Sequence, residues 1–209
     1  VPKRWHQFRN PWDREYAMRG SLWRGVSDAG FLQTWLPKGS LVVELGCGDG
    51  KFVAGLQGAG FRPVGLDFSR HALRQAAGRV AAPWVLADVR RLPFATASLP
   101  AVAARYVLGA LRADDRRDAA AEIARALAPG GLVVCEEFST KDFRTGTGRE
   151  VEPGTYERNR GILTHYFDAD EAHALFPSLR HLSTEEIEST QRIGGGRARR
   201  HRWRLAFRR

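Results

Sequence analysis

The sequence predicts an α/β fold: a mostly parallel sheet with helices on both faces, closed by a C-terminal antiparallel hairpin and preceded by an N-terminal helical cap. Three observations carry this expectation. Between residues 40 and 138, short apolar runs of strand length alternate with helix-like segments, the pattern of parallel strands covered on both sides. The alternation stops after Ser139. Two strand-like segments then flank the glycine-rich turn Gly194-Gly195-Gly196 near the end of the chain.

Each element has a local reason. Residues 1–36 are rich in tryptophan and arginine, and the part from Trp12 to Leu36 suits one or two helices before Pro37-Lys38-Gly39 breaks the chain. LVVELG (41–46) reads as a buried strand, continuously apolar except for Glu44. Lys51 to Gly58 reads as a short helix and PVGLDF (63–68) as a second strand. Ser69 is placed to cap a helix running to Val80. WVLAD (84–88) and AVAARYVL (101–108) are the third and fourth strands. Residues 114–128 put Ala119, Ile123, Ala126 and Leu127 on one helical face, with Asp114 as the N-cap and Pro129-Gly130-Gly131 as the stop. LVVCEEF (132–138) is the fifth strand. A polar, glycine-containing stretch follows to Gly161, then Asp168 and Glu171 as a capping box for a short helix, then strands over 181–192 and 200–208.

Composition narrows the classes. The 209 residues suffice for one domain with a sizeable core. No apolar run approaches the roughly 20 residues of a membrane helix, and the start has no signal-peptide h-region, so a cytoplasmic setting is the expectation. Cys47 and Cys135 are too few for a disulfide framework or a zinc site; no metal is expected. The net charge of +10 is uneven: from Arg192 onward there are eight arginines and no acid, whereas residues 26–191 are near neutral. Basic ends can attract a polyanion, or they can be solvated faces.

The strongest motif is Val43-Glu44-Leu45-Gly46-Cys47-Gly48-Asp49-Gly50-Lys51. A strand runs directly into glycines and then a helix, which lets backbone N–H groups approach a ligand closely. A dinucleotide fingerprint would place its third glycine where Lys51 stands. The spacing with an acid at Glu44 fits a cationic, phosphate-free ligand better. Asp67 ends the second strand 21 residues after Gly46, where a carboxylate can accept two ribose hydroxyls. Asp88 ends the third strand 21 residues later, where an adenine edge would lie.

VVELGCGDGKF, VGLDFS, LADVRRLPFATASLPAVAARYVLGAL and EIARALAPGGLVVCEEF, in this order, resemble the class I S-adenosylmethionine-dependent methyltransferase family, which has a Rossmann-like fold. The resemblance covers residues 40–138. It implies S-adenosyl-L-methionine as cofactor, with residues 1–36 as a cap on a methyltransferase domain of 37–209, the substrate side being 139–209. By resemblance, Gly46, Gly48 and Gly50 cradle the methionine part. Asp67 holds the ribose, Phe68 packs on the adenine, and Asp88 with Val89 addresses the adenine edge. Glu44 orients the loop or meets the cofactor's amino group; Cys47, Ser69 and Arg105 complete the expected set. At the fourth strand's end, Arg105-Tyr106-Val107-Leu108-Gly109-Ala110 departs from the asparagine or serine, valine–leucine and histidine pattern of many relatives.

A methyl on a sulfonium needs chiefly an in-line nucleophile. A base is needed only for a protonated acceptor, and the candidates are Tyr106, Glu136, Glu137 and His165. His165, within Thr164-His165-Tyr166-Phe167, also reads as a packed residue. Trp12, Tyr16 and Arg24 form either a lid or a helix packed on the sheet edge. For the acceptor, RNA (tRNA foremost) is favoured by the basic ends and by aromatics suited to base stacking, through Arg199, Arg200 and Arg202. A small molecule enclosed under the aromatic cap is the alternative. A non-catalytic binding module is the third reading, and the intact glycine loop with Asp67 and Asp88 argues against it.

Overall fold

The computed structural model describes residues 11–18, 27–158, 161–193 and 196–209. A helix over residues 11–18 (α1) is followed by a 3-10 turn, Gly30–Thr34. The chain then alternates through β1 (Leu41–Leu45), α2 (Lys51–Gly58), β2 (Arg62–Asp67), α3 (Arg70–Arg79), β3 (Trp84–Leu86), β4 (Leu99–Arg105), α4 (Ala113–Ala126) and β5 (Leu127–Phe138). Three short strands come next, β6 (Arg149–Glu152), β7 (Thr155–Arg158) and β8 (Ile162–His165). The helix α5 (Ala169–His173) leads to the long hairpin of β9 (Arg180–Ile193) and β10 (Gly196–Arg208).

The main sheet has the order β3-β2-β1-β4-β5-β10-β9. Strands β1 to β5 pair in parallel, and β10 joins β5 and β9 antiparallel. This is the parallel sheet closed by a hairpin that the sequence predicts. Alternation along the strands builds a core on each face. Val43, Leu45, Val102, Ala104, Val133 and Cys135 pack with Ala119 and Ile123 of α4 and with Phe176. Val42, Ala101, Ala103, Leu132 and Val134 pack with Phe52 and Leu56 of α2 and with Leu32.

Several local expectations are corrected. Ser69 does cap α3, accepting the Ala72 N–H at 3.1 Å. Asp114 does not cap α4: the N-cap is Arg112, and Asp114 lies in the first turn, where a carboxylate still favours the helix dipole. That helix ends at Ala126, before Pro129, and Pro129-Gly130-Gly131 is absorbed into the irregular start of β5. Half of the proposed capping box forms. Asp168 accepts the Glu171 N–H at 2.8 Å, while the Glu171 carboxylate turns to Arg116 and His165.

The fourth strand stops at Arg105 because Tyr106 takes φ +58°, a left-handed conformation that no strand continues. The stretch expected to be irregular up to Gly161 holds a second sheet, β6-β7-β8, with antiparallel pairing. Its strands are hard to read because Arg149, Glu150, Glu152, Glu157 and Arg158 make them polar: β6 buries no residue and β7 only Thr155.

Candidate functional site

A cavity of about 400 Å³ opens at the carboxyl ends of β1, β2 and β4, where the strand order reverses between β1 and β4. In open α/β sheets this crevice is where ligands bind. The turn after β1 forms its floor. Gly46 and Gly48 both have positive φ, +65° and +53°. A Cβ on Gly46 would stand 2.7 Å from Val107 Cγ2, and one on Gly48 would collide with the Tyr16 hydroxyl. Both positions therefore require glycine for conformation and for space.

Asp67 locks this turn to the next strand. Its carboxylate accepts the Gly48 N–H and the Ser69 N–H, each at 2.8 Å. Burial pushes its pKa up to about 6, against the pull of those backbone donors. Glu44 lies beside it, buried, with Oε2 lacking a partner among the described residues. Burial raises its pKa to about 8, with Arg105 opposing the shift and Asp67 adding to it. An acid held in this state calls for a cationic group. Cys47 lines the cavity, and burial drives its thiol well up, which makes it a poor nucleophile.

Phe68, Asp88 and Val89 line the same cavity. Asp88 is already engaged: Arg90 reaches it through Nε and Nη2, at 3.0 and 2.8 Å, and through its backbone N–H. Arg90 is held in turn by Asp115 at 2.9 Å. A ligand edge at Asp88 would share that carboxylate with Arg90. Arg105 also lines the cavity, fixed to Glu136 and to the Ser27 hydroxyl, with its guanidinium 4.2 Å over the Phe52 ring.

Two of the residues expected around the cofactor do not line the cavity. Gly50, at φ +78°, is the N-cap of α2, and a Cβ there would meet Trp84 and Ala76; its need is packing between helix and strand. Ser69 caps α3 and donates to Asp13 of α1 at 2.6 Å. That contact docks α1. Gln75 also donates to the Tyr16 carbonyl, and Trp12 and Tyr16 line the cavity beside the glycine turn. Arg24 lies outside the described residues.

At the other end, Tyr106 stacks on Phe138 with centroids 4.7 Å apart. Its hydroxyl donates to Glu136 and accepts from Arg202, both at 3.2 Å. Burial raises the phenol pKa, so Tyr106 is a donor here rather than a base. Glu136 is a charge anchor. Burial works to raise its pKa, but the guanidiniums of Arg105 and Arg204 outweigh it and hold the group below the usual carboxylate range. Glu137 lines the cavity, yet both its oxygens accept backbone N–H groups, from Leu108 at 2.9 Å and Gly109 at 3.1 Å. Burial nevertheless pushes its pKa up to about 8.

The reading of His165 as a base is corrected. It does not line the cavity. Its Nδ1 meets Thr155 Oγ1 and its Nε2 meets Glu171 Oε2, both at 2.7 Å, so neither nitrogen is free to take a proton from a ligand. Its neighbour Thr164 lines the cavity instead, with Arg144, Arg158, Ile162 and Leu163. Sequence reasoning reached Thr164 but missed Arg158, Ile162 and Leu163, which arrive on the concealed second sheet, and Arg144, which lies in the segment after β5. The hairpin arginines also differ from an outward basic face. Arg200 and Arg202 line the cavity, Arg199 is exposed near Glu188, and Arg204 pairs with Glu136 and Glu185.

Comparison with known proteins bears on the family and the fold. Residues 42–131 match the family described as "Methyltransferase domain". A ubiquinone/menaquinone biosynthesis C-methyltransferase from Desulfotalea psychrophila is 36% identical over 104 residues, covering 47% of this chain and 42% of that protein. A demethylmenaquinone methyltransferase from Corynebacterium urealyticum is 37% identical over 105 residues, covering 50% and 44%. The chain thus spans under half the length of these curated relatives. Among solved structures, an S-adenosylmethionine-dependent methyltransferase from Methanosarcina mazei superposes with a TM-score of 0.72 at 19% identity, over 86% of this chain and 96% of that one. Residues 42–131 thus match a methyltransferase domain, and the fold is that of solved S-adenosylmethionine-dependent methyltransferases.

Proposed function

We propose that this chain transfers a methyl group from S-adenosylmethionine to a small molecule taken into the Tyr106 end of the cavity. The observation that carries the reading is the pairing, in one cavity, of the glycine turn and Asp67 with buried Glu44, whose Oε2 has no partner among the described residues. Glu44 meets the cofactor's ammonium and Asp67 its ribose hydroxyls. Phe68 and Val89 flank the adenine, and Asp88 offers its remaining acceptor capacity to the adenine edge. Trp12 and Tyr16 of α1 close over the cofactor as a lid.

When bound, the cofactor supplies an electrophilic methyl on a sulfonium. An acceptor held in line with that methyl would take it as the carbon–sulfur bond gave its electron pair to sulfur, and any proton on the acceptor atom would go to water. The chain's own contribution is placement and exclusion of bulk solvent. With His165, Glu136 and Glu137 already committed to protein partners, no dedicated base is assigned.

A small acceptor is preferred to RNA on two grounds. Of the three arginines expected to grip a polyanion, Arg200 and Arg202 face the cavity and only Arg199 is exposed. The relatives named above are named for quinone-biosynthesis substrates, which are small molecules. The test is tritium transfer from labelled S-adenosylmethionine to a metabolite extract and, in parallel, to total RNA. Label in the small-molecule fraction is expected. Label confined to RNA would overturn the acceptor class.

A further inference from the structure

Resting on that methyltransferase reading, we infer that the acceptor carries a carboxylate or phosphate, gripped by Arg144, Arg158, Arg200 and Arg202. Charge is unevenly spread along the cavity, although Arg90 and Arg105 stand near the acidic side and Glu137 near the basic one. Glu44, Asp67 and Asp88 stand at the ends of β1, β2 and on the turn after β3. Across β4 and β5, four arginines line the opposite wall: Arg144 after β5, Arg158 on β7, and Arg200 and Arg202 on β10. The acidic side suits a cationic cofactor; the basic side suits an anion.

These arginines hold more donor capacity than the protein fills. Asp142 serves Arg144 at 3.1 Å and Arg200 at 2.7 Å. Arg158 and Arg202 meet only neutral oxygens among the described residues: Thr164 Oγ1 at 3.5 Å for the former, the Tyr106 hydroxyl at 3.2 Å and Ser189 Oγ at 3.0 Å for the latter. Arg144 Nη2, Arg158 Nε and Arg202 Nε are buried nitrogens without a partner. Collecting cations with so few counter-charges is costly unless an anion joins them. The guanidinium fork suits a carboxylate or phosphate.

The cluster is also held rigid. The guanidiniums of Arg144 and Arg200 lie 4.4 and 4.5 Å from the Phe138 ring centroid, and Tyr106, stacked on the same ring, receives Arg202. Ile162, Leu163, Val107 and Leu111 supply apolar wall nearby. The site therefore suits a small molecule with an apolar body and one anionic group. That group positions the acceptor and takes no part in bond making.

The test is calorimetric titration of the full chain, saturated with S-adenosylhomocysteine, with benzoate, benzamide and inorganic phosphate. Benzoate or phosphate should bind at least about tenfold more tightly than benzamide, the scale of one charge-assisted hydrogen bond. In R158Q/R202Q that preference should vanish while S-adenosylhomocysteine affinity is retained, and R158K/R202K should keep most of it. Benzoate binding alone marks a carboxylate acceptor and phosphate binding alone a phosphorylated one. Failure of both anions to exceed benzamide, or a preference that survives in R158Q/R202Q, overturns the inference. Failure of the unaltered chain to bind S-adenosylhomocysteine would instead bring down the methyltransferase reading itself.

Discussion

Replacing Asp67 with alanine removes a carboxylate that does two jobs. In the structure it accepts the Gly48 and Ser69 N–H groups, each at 2.8 Å, and on the proposed reading its remaining lone pairs accept two ribose hydroxyls. Hydrogen bonds to a charged group contribute about 1.5–3 kcal/mol each. Taking the lower figure, because water can enter the space left by the side chain, the two ribose contacts amount to about 3 kcal/mol, or on the order of 150-fold in affinity. Calorimetric titration with S-adenosylhomocysteine reads this directly, with circular dichroism as the control for folding. The pH dependence adds a second signature. With Asp67 at about 6 in the free chain, and the ionised form the better acceptor, affinity should rise as pH increases through 6 in the unaltered protein. That limb should be missing from Asp67→Ala. A folded variant that binds within threefold of the unaltered chain would refute the assignment.

Other expectations follow from burial and pairing. Glu44 and Glu137 both have folded pKa values raised to about 8, so between the ordinary carboxylate range and pH 8 the folded chain holds protons that the unfolded chain has lost. Stability without ligand should therefore fall as pH rises through that window, and Glu44→Gln should flatten part of the slope in urea midpoints taken from pH 5 to 8.5. Ile123→Ala empties a fully buried site beneath the sheet and should cost about 2–5 kcal/mol, measured by urea denaturation. His165→Gln should lower stability by about 1–3 kcal/mol through the broken Thr155 and Glu171 contacts. The pH profile of its kcat should match the unaltered chain; a lost acidic limb would restore His165 as a base.

The sheet and the cofactor side were legible because their signals are local. A strand, a glycine turn and an acid at the next strand's end are consecutive in the chain, and Gly46, Gly48 and Asp67 come together as their spacing implies. Gly50 shows the limit: its position in the motif suggests a ligand contact, while its neighbours Trp84 and Ala76 make it a packing residue. The basic wall was not legible, since Arg144, Arg158 and Arg202 converge only through pairings of high sequence separation. In the sequence, Arg158 sits in a polar stretch, and Arg202 lies in a basic strand that reads either as an RNA-gripping face or as a solvated one. His165 failed as a base for a related reason: its partners Thr155 and Glu171 lie on a strand and a helix whose meeting no local pattern announces. The left-handed Tyr106 likewise carries no signal in its residue type.

The order of the hairpin has a consequence for assembly. Strand β9 is made before β10, yet it reaches the sheet only through β10, which lies between it and β5. During synthesis β9 is thus a strand without a docking partner, and the margin of β5 stays bare until its later neighbour emerges. Chains stalled or cleaved between the two would present two open strand margins rather than one, a state prone to pair with other copies. The same step delivers Arg200 and Arg202, so the acceptor end of the cavity is completed only when that final zippering occurs.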